Sequence, residues 1–303
     1  MKHLLFACIY LLSCPAWSEM LVVTTIPPLK FILDEFAGDD IEVRTLLSAQ
    51  AEPHHHSMRV SEVILLEQAD LVLWVGPQLE TYLSNTIAKL NPEKVITASA
   101  LPDIEKSVTT SGDPHIWLNP DHARVIASEV AGWIVAREPA LQARILADST
   151  RFNTALTTLA EELAVRLAPL KQLNILVDHN AFYHFFLYFG LNEAVSLKTK
   201  DGLAKSAGQL RHVLDRAAYD CVIAEPHSSH HRMQHIAANA NAPLIVLDPL
   251  GGSIEASRHP YRTLLEQLAI DLEKCLQPNH GSLGPAEQLD EGTTVTGVNQ
   301  VLD

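Results

Sequence analysis

The stretch LQARILADSTRFNTALTTLAEELAVRL covers residues 141–167 of a 303-residue chain. Its apolar residues recur every three or four positions, most clearly at Leu156, Leu159 and Leu163, and this spacing predicts one amphipathic helix. Such a helix would be roughly 40 Å long, since each residue adds about 1.5 Å, and it would act as a stiff connector. The alternative is two shorter helices with a break near Asn153.

Strand-like and helix-like segments alternate on both sides of this helix. Before it, strands are predicted at Leu21–Thr25, Ile41–Leu46, Leu71–Val75 and Lys94–Ile96, with helices at Leu29–Phe36, Val60–Glu67 and Glu80–Leu90. After it, strands are predicted at Asn174–Val177, Ala194–Leu197, Cys221–Ala224 and Leu244–Leu247, with helices at Phe182–Phe189, Lys205–Ala218, Arg232–Asn239 and Tyr261–Leu276. This alternation is typical of βαβ units, so we predict an α/β fold with two parallel-sheet lobes.

The patterns also predict where the parts of the chain begin and end. We expect a signal peptide at 1–18, an N-terminal α/β lobe at 19–138, a linking helix at 139–170, a C-terminal α/β lobe at 171–277 and a disordered tail at 278–303. Asn119-Pro120 predicts the start of a further helix in the first lobe, because proline suits the first helical position. Pro139 should end it.

The N-terminus predicts export. Lys2 precedes an apolar run, Leu4–Leu12, that is too short to span a bilayer, and Ala16-Trp17-Ser18 offers small residues for cleavage. A short membrane anchor is one alternative. A lipoprotein signal at Cys14 is another, although Pro15 argues against it. We therefore expect a periplasmic protein.

Composition restricts the partners. Hydrophobic residues make up 47% and charged residues 19% of the chain, as in globular proteins, and the formal net charge is −14. Loss of Lys2 with the signal peptide would leave about −15. This acidity argues against nucleic acid and against anionic membranes as partners. We expect a monomer.

Two cysteines, Cys221 and Cys275, remain after the predicted cleavage. A pair of cysteines in an exported chain predicts one disulfide bond, with two free buried thiols as the alternative. The two residues are too isolated in the sequence to indicate a cysteine-based metal site.

Four potential metal ligands lie at or after the ends of predicted strands or between the lobes. His54 lies in the loop after the second strand, His179 and Asp248 directly follow strands, and His115 lies in DPHIW at residues 113–117. Ligands of open α/β sheets bind beyond the carboxyl ends of the strands, so two lobes that face each other would share one cleft. Three imidazoles and one carboxylate suit tetrahedral zinc.

Spacing alone does not show that these four residues meet. His54 and His179 could be surface histidines, and His115 could be a histidine packed beside Trp117. Asp248 could form a turn by bonding its own backbone.

Several stretches resemble the zinc-specific solute-binding proteins of ABC importers. They are PHHHSMRVSEV (53–63), ADLVLWVGPQLE (69–80), DPHIWLNP (113–120), VDHNAFYHFFLYFGL (177–191), DCVIAEPH (220–227) and LDPLGGSIEASRHPY (247–261). The resemblance implies two α/β lobes joined by one long rigid helix and a cysteine pair that matches Cys221 and Cys275. It also implies metal ligands at His54, His115, His179 and Asp248, and delivery of Zn²⁺ to a membrane permease. Related manganese carriers have Glu where this chain has His179.

The chain departs from that family at several positions. Val60 and Asn180 replace a proline and an aspartate, and His184 replaces an aromatic residue. The stretch 102–112 is short and contains no histidine, where many zinc members have a long His-rich loop. Auxiliary ligands could compensate, and the candidates are Glu52, His55, His56, His227, His230, His231 and His235. His231 and His235 have i, i+4 spacing, which places them on one helical face; a solvated polar face is the alternative.

Two other functions are compatible with these residues. A zinc hydrolase could use His54, His115 and His179 as ligands and Asp248 or Glu225 as a base, but the chain has no HExxH or GxSxG motif. A manganese or iron carrier of the same fold is the other alternative. We expect a zinc carrier and not an enzyme.

Overall fold

The structure is a computed structural model that describes residues 19–215, 218–254 and 257–277. The predicted signal peptide with Cys14 and the predicted tail at 278–303 lie outside the described residues. Among the described residues, no helix combines the length and the apolar character that crossing a membrane requires.

The N-terminal lobe contains a four-stranded parallel sheet. Its strands are β1 (Met20–Thr24), β2 (Ile41–Thr45), β3 (Leu71–Trp74) and β4 (Val95–Thr97), in the order β2-β1-β3-β4. Its helices are α1 (Pro27–Asp34), α2 (Val60–Gln68), α3 (Ser84–Ile87) and α4 (Pro102–Ser111). Strand β3 is buried along its whole length, which explains why its sequence is a continuous apolar run.

The C-terminal lobe contains a second parallel sheet with the same strand order. Its strands are β5 (Ile175–Val177), β6 (Val195–Ser196), β7 (Cys221–Ala224) and β8 (Leu244–Val246), in the order β6-β5-β7-β8. Its helices are α7 (Tyr183–Phe189), α8 (Ala207–Leu214), α9 (His230–Ala240) and α10 (Pro260–Glu273). The two-lobed parallel α/β fold predicted from the alternation is confirmed.

Two helices separate the two sheets along the sequence. They are α5 (Pro120–Arg137) and α6 (Gln142–Arg166). The Asn119 side chain accepts hydrogen bonds from the first-turn N–H groups of α5, as its capping role predicts. Helix α6 is continuous over 25 residues, so the prediction of one long helix is confirmed and the break near Asn153 is not found. It buries the stripe that contains Leu156, Leu159 and Leu163.

Three predicted segments differ in detail. The segment predicted as a helix over 80–90 is a 3₁₀ turn, Thr81–Leu83, followed by the short α3, and the buried Glu80 instead accepts the N–H groups of Val75 and Gly76. Helix α8 starts after Ser206, which forms a capping box with Gln209. The His-free stretch 102–112 is helix α4, which ends at Gly112 with φ of +64°.

The lobes share one continuous apolar core in addition to helix α6. The indole N–H of Trp117 donates to the Pro249 carbonyl at 2.9 Å, and the Tyr261 hydroxyl donates to the Trp117 carbonyl at 2.7 Å. Trp117 and Tyr261 are fully buried. Buried hydrogen bonds of Trp117 therefore join the loop after β8 and helix α10 to the segment that leads into α5.

A disulfide bond joins Cys221 in β7 to Cys275, which follows α10, across a sequence separation of 54 residues. The predicted pairing is therefore confirmed.

Candidate metal centre

The carboxyl ends of the two sheets face one cleft. His179 follows β5 and Glu225 follows β7, the two central strands of the second sheet, so both lie at the point where the strand order reverses. His54 comes from the long loop after β2 in the opposite lobe, and His115 precedes a 3₁₀ turn that leads into α5. Residues of both lobes line the cleft, among them Glu52, Trp117 and Asp248.

Three histidines meet at the centre of this cleft. Ligand nitrogens of His54, His115 and His179 all lie within 4.8 Å of one another. The Nε2 atoms of His54 and His115 are 3.1 Å apart, and the ring of His179 lies 4.7 Å from that of His115, centroid to centroid. His115 and His179 are buried, whereas His54 is half-buried. Buried imidazoles so close together need either shared protons or a shared cation.

A buried carboxylate orients the ring of His115. Asp113 accepts hydrogen bonds from both the backbone N–H and the Nδ1–H of His115 at 3.0 Å, which leaves the Nε2 lone pair directed toward the other two histidines. Burial opposes the ionisation of Asp113, but the contacts with His115 outweigh it and lower the pKa of the carboxyl.

His179 is held on both sides. Its Nδ1 donates to Glu225 at 3.1 Å, and its Nε2 lies 3.3 Å from the carbonyl oxygen of Lys200. Burial disfavours the charged ring, but these two acceptors outweigh it and raise the pKa of His179. Nε2 must therefore give up its proton and its contact with Lys200 before it can bind a metal ion.

The pKa of His54 is shifted in the opposite direction to that of His179. Burial, together with the neighbouring rings of His115 and His179, lowers its pKa to about 3. Its backbone N–H donates to Glu52 at 3.0 Å, which fixes the start of the turn that carries it. The ring therefore stays neutral over the whole physiological range, as metal ligation requires.

Asp248 lines the same cleft but does not belong to the group of mutually close ligand atoms. Its Oδ1 accepts the N–H groups of Leu250 and Gly251, and its Oδ2 accepts that of Gly252 at 2.7 Å. Asp248 therefore forms the turn with its own backbone that the sequence analysis gives as an alternative to metal binding. An ionised carboxylate has about four acceptor positions, so three backbone bonds leave room for one more partner.

The auxiliary candidates lie at different places. Glu52 and His227 line the cleft, and His55 is exposed beside Gly202. His56 donates to Glu62 at 2.9 Å at the start of α2 and is committed to that contact. His230, His231 and His235 are exposed on α9, outside the cleft.

Sequence reasoning missed three residues behind the ligands. The motif DPHIW contains Asp113 but does not indicate its hydrogen bond to His115. The sequence suggests Glu225 only as the base of a hydrolase and not as a partner of His179. His184 is completely buried and its Nε2 donates to the Asp113 carbonyl at 2.9 Å, so it connects α7 to the loop that carries His115. Two of these residues had a sequence signal: Asp113 lies two residues before His115, and Glu225 directly follows the strand next to the one that precedes His179.

Several solved structures superimpose on most of this chain. A crystal structure of ZnuA superimposes with a TM-score of 0.73 at 23% identity, over 85% of this chain and 99% of that one. The periplasmic zinc-binding protein TroA from Treponema pallidum superimposes with a TM-score of 0.76 at 18% identity, over 86% and 99%. At these identities the likeness establishes the fold.

The sequence establishes the family. Residues 22–275 match the model of ZnuA, the periplasmic component A of a zinc-uptake complex, and the chain belongs to this family. The high-affinity zinc uptake system protein ZnuA of Haemophilus ducreyi is 26% identical over 287 residues, which cover 84% of this chain and 93% of the relative.

Proposed function

We propose that this protein captures one zinc ion in the periplasm and delivers it to the permease of an ABC importer. The observation that carries the proposal is the convergence of three imidazoles, His54, His115 and His179, within 4.8 Å in a cleft between two lobes. Family membership and the zinc uptake named for the relatives support zinc as the cargo.

Zinc would bind by replacing its water shell with the three imidazole nitrogens. Asp113 and Glu225 hold Nδ1 of His115 and His179, so the Nε2 atoms of these rings are the ligating atoms. Asp248 is our candidate for the fourth position, because its carboxylate lines the cleft and retains an acceptor site. A small movement of its loop would bring it to the ion, and Glu52 is the alternative carboxylate.

The chemistry of the ligands favours zinc over manganese. Imidazole nitrogens suit zinc, copper and nickel, whereas manganese prefers oxygen ligands. A catalytic zinc needs an open position with a water molecule, and a fourth protein ligand at Asp248 would close it. We therefore propose a carrier and not a hydrolase.

Export, oligomeric state and docking complete the proposal. We propose cleavage after Ser18, a monomeric mature chain, and release of zinc when the permease binds the lobes. Mass spectrometry of the mature N-terminus and sedimentation analysis test the first two points. Co-purification with a membrane permease tests the third.

Calorimetric titration of the apo protein tests the central proposal. We expect one tightly bound zinc ion, which an excess of manganese does not displace. Displacement by manganese would favour a manganese carrier, and hydrolysis of a model ester by the zinc-loaded protein would favour an enzyme.

A further inference from the structure

Two exposed histidines on helix α9 form a pair outside the cleft. His231 and His235 are four residues apart, so they lie on the same face of the helix. Their Nε2 atoms are 3.2 Å apart and their ring centroids 4.4 Å apart. Both rings are open to solvent, which gives a hydrated ion direct access to them.

The spacing of the two nitrogens fits a zinc ion. Zinc–nitrogen bonds of about 2.0–2.1 Å at the tetrahedral angle put two ligand atoms about 3.3 Å apart. The observed Nε2–Nε2 separation is 3.2 Å. An ion could therefore bind both rings with little side-chain rearrangement, and this preorganisation lowers the entropic cost of binding.

The surroundings make such a site weak and exchangeable. Among the described residues, no third His, Cys, Asp or Glu forms a three-ligand group with this pair, so water would complete the shell. Helix α9 begins at His230, and the partial positive charge of its N-terminus disfavours a cation nearby. Arg232 adds a positive charge, but its guanidinium is directed to Asp178, which directly follows β5.

We propose that His231 and His235 bind a second zinc ion, weakly and with water as the remaining ligands. The pair selects ions that prefer imidazole, such as zinc, copper and nickel, over magnesium and calcium. The segment that precedes α9 includes Glu225 and His227, which line the cleft. The pair therefore lies on the helix that directly follows a cleft-lining segment.

Equilibrium dialysis of the full chain against micromolar free zinc, followed by elemental analysis, tests this inference. The double variant His231→Gln/His235→Gln should hold one zinc equivalent fewer than the unsubstituted protein. Each single variant should lose the same equivalent, because one imidazole cannot chelate. The control His212→Gln changes another exposed histidine, on helix α8, and should retain it.

Three results would overturn the inference. They are an unchanged zinc content in the double variant, an equal loss in the control, and only one bound equivalent in the unsubstituted protein. Because both residues are exposed, circular dichroism should show the same fold in all variants. If the unsubstituted protein lacks the tight ion but holds a weak one that the double variant loses, the three-histidine centre fails and this inference stands.

Discussion

The Nε2 atoms of His54 and His115 lie 3.1 Å apart, although 61 residues separate the two histidines in the sequence. Asp113 takes the Nδ1–H of His115, so a neutral His115 presents its Nε2 lone pair, and His54 must donate the hydrogen between the two rings. A zinc ion would replace that hydrogen. The protein thus holds two imidazoles at a separation that suits a shared metal ion.

Replacing His115 by alanine should nearly abolish tight zinc binding. Loss of an outer-shell partner typically reduces metal affinity about 10–100-fold, and loss of a direct ligand should cost more. Calorimetry or competition with a chelating dye measures the change. His212→Ala, which removes an exposed histidine elsewhere, should leave the affinity unchanged. A His115→Ala variant with full affinity would remove this residue from the site.

Replacing Glu225 by glutamine should weaken zinc binding by about 10–100-fold, because His179 loses the carboxylate that fixes its tautomer. Glu62→Gln is the matched control, since it disrupts another histidine–carboxylate pair, His56–Glu62, that lies outside the centre. The control should keep its zinc affinity and most of its stability, because glutamine can also fill the capping position that Glu62 holds in α2. Equal losses of affinity in both variants would contradict this role of Glu225.

Replacing Asp248 by alanine should lower both zinc affinity and stability. The turn loses an acceptor of three backbone N–H groups, which should cost about 1–3 kcal/mol in the free energy of unfolding. Glu52→Gln removes the charge of the other carboxylate under consideration and should weaken zinc binding less than Asp248→Ala. The opposite order of affinities would assign the fourth position to Glu52.

Zinc affinity should fall as the pH falls. The hydrogen bonds of His179 raise its pKa above the usual value, so this ring must release a proton to bind zinc. Because the pKa of His54 is lowered to about 3, protonation of His54 does not contribute to the loss of zinc affinity near the pKa of His179. Affinity should be complete above the pKa of His179 and fall roughly tenfold per pH unit below it. In Glu225→Gln the fall should begin at lower pH, and a flat profile in both proteins would contradict the mechanism.

Removing the disulfide should destabilise the fold without changing the metal centre. Cys221 and Cys275 close a loop with a sequence separation of 54 residues, and a bridge of that size contributes about 2–4 kcal/mol. The double variant Cys221→Ala/Cys275→Ala should show this loss in chemical denaturation. Its zinc affinity should match that of the unsubstituted protein, since neither sulfur lies near the three histidines; a large loss of affinity would contradict this.

The elements with strong local patterns were predictable from sequence. Helix α6 follows from its leucine spacing, and the strands β3 and β7 follow from continuous apolar runs, because these signals arise within a few residues of one another. The helix predicted over residues 80–90 is longer than the observed α3. The local pattern does not reveal that the Glu80 side chain turns inward to the end of β3. Burial of a carboxylate depends on tertiary contacts that periodicity does not encode.

The centre was only partly predictable. The rule that ligands bind at the carboxyl ends of parallel strands places His179 and His54 in one cleft. It does not reveal that His184 contacts the Asp113 carbonyl, because this contact joins segments from both lobes. The three backbone bonds to Asp248 form the turn that the sequence offers as the alternative role of this residue.

X-ray absorption at the zinc edge, on protein loaded with one zinc equivalent, tests the central claim most directly. We expect a first shell of three imidazole nitrogens and one oxygen at about 2.0–2.2 Å, with the imidazole signal reduced in His115→Ala. A first shell made mainly of water oxygens, or one that is unchanged in His115→Ala, would contradict a zinc site formed by His54, His115 and His179.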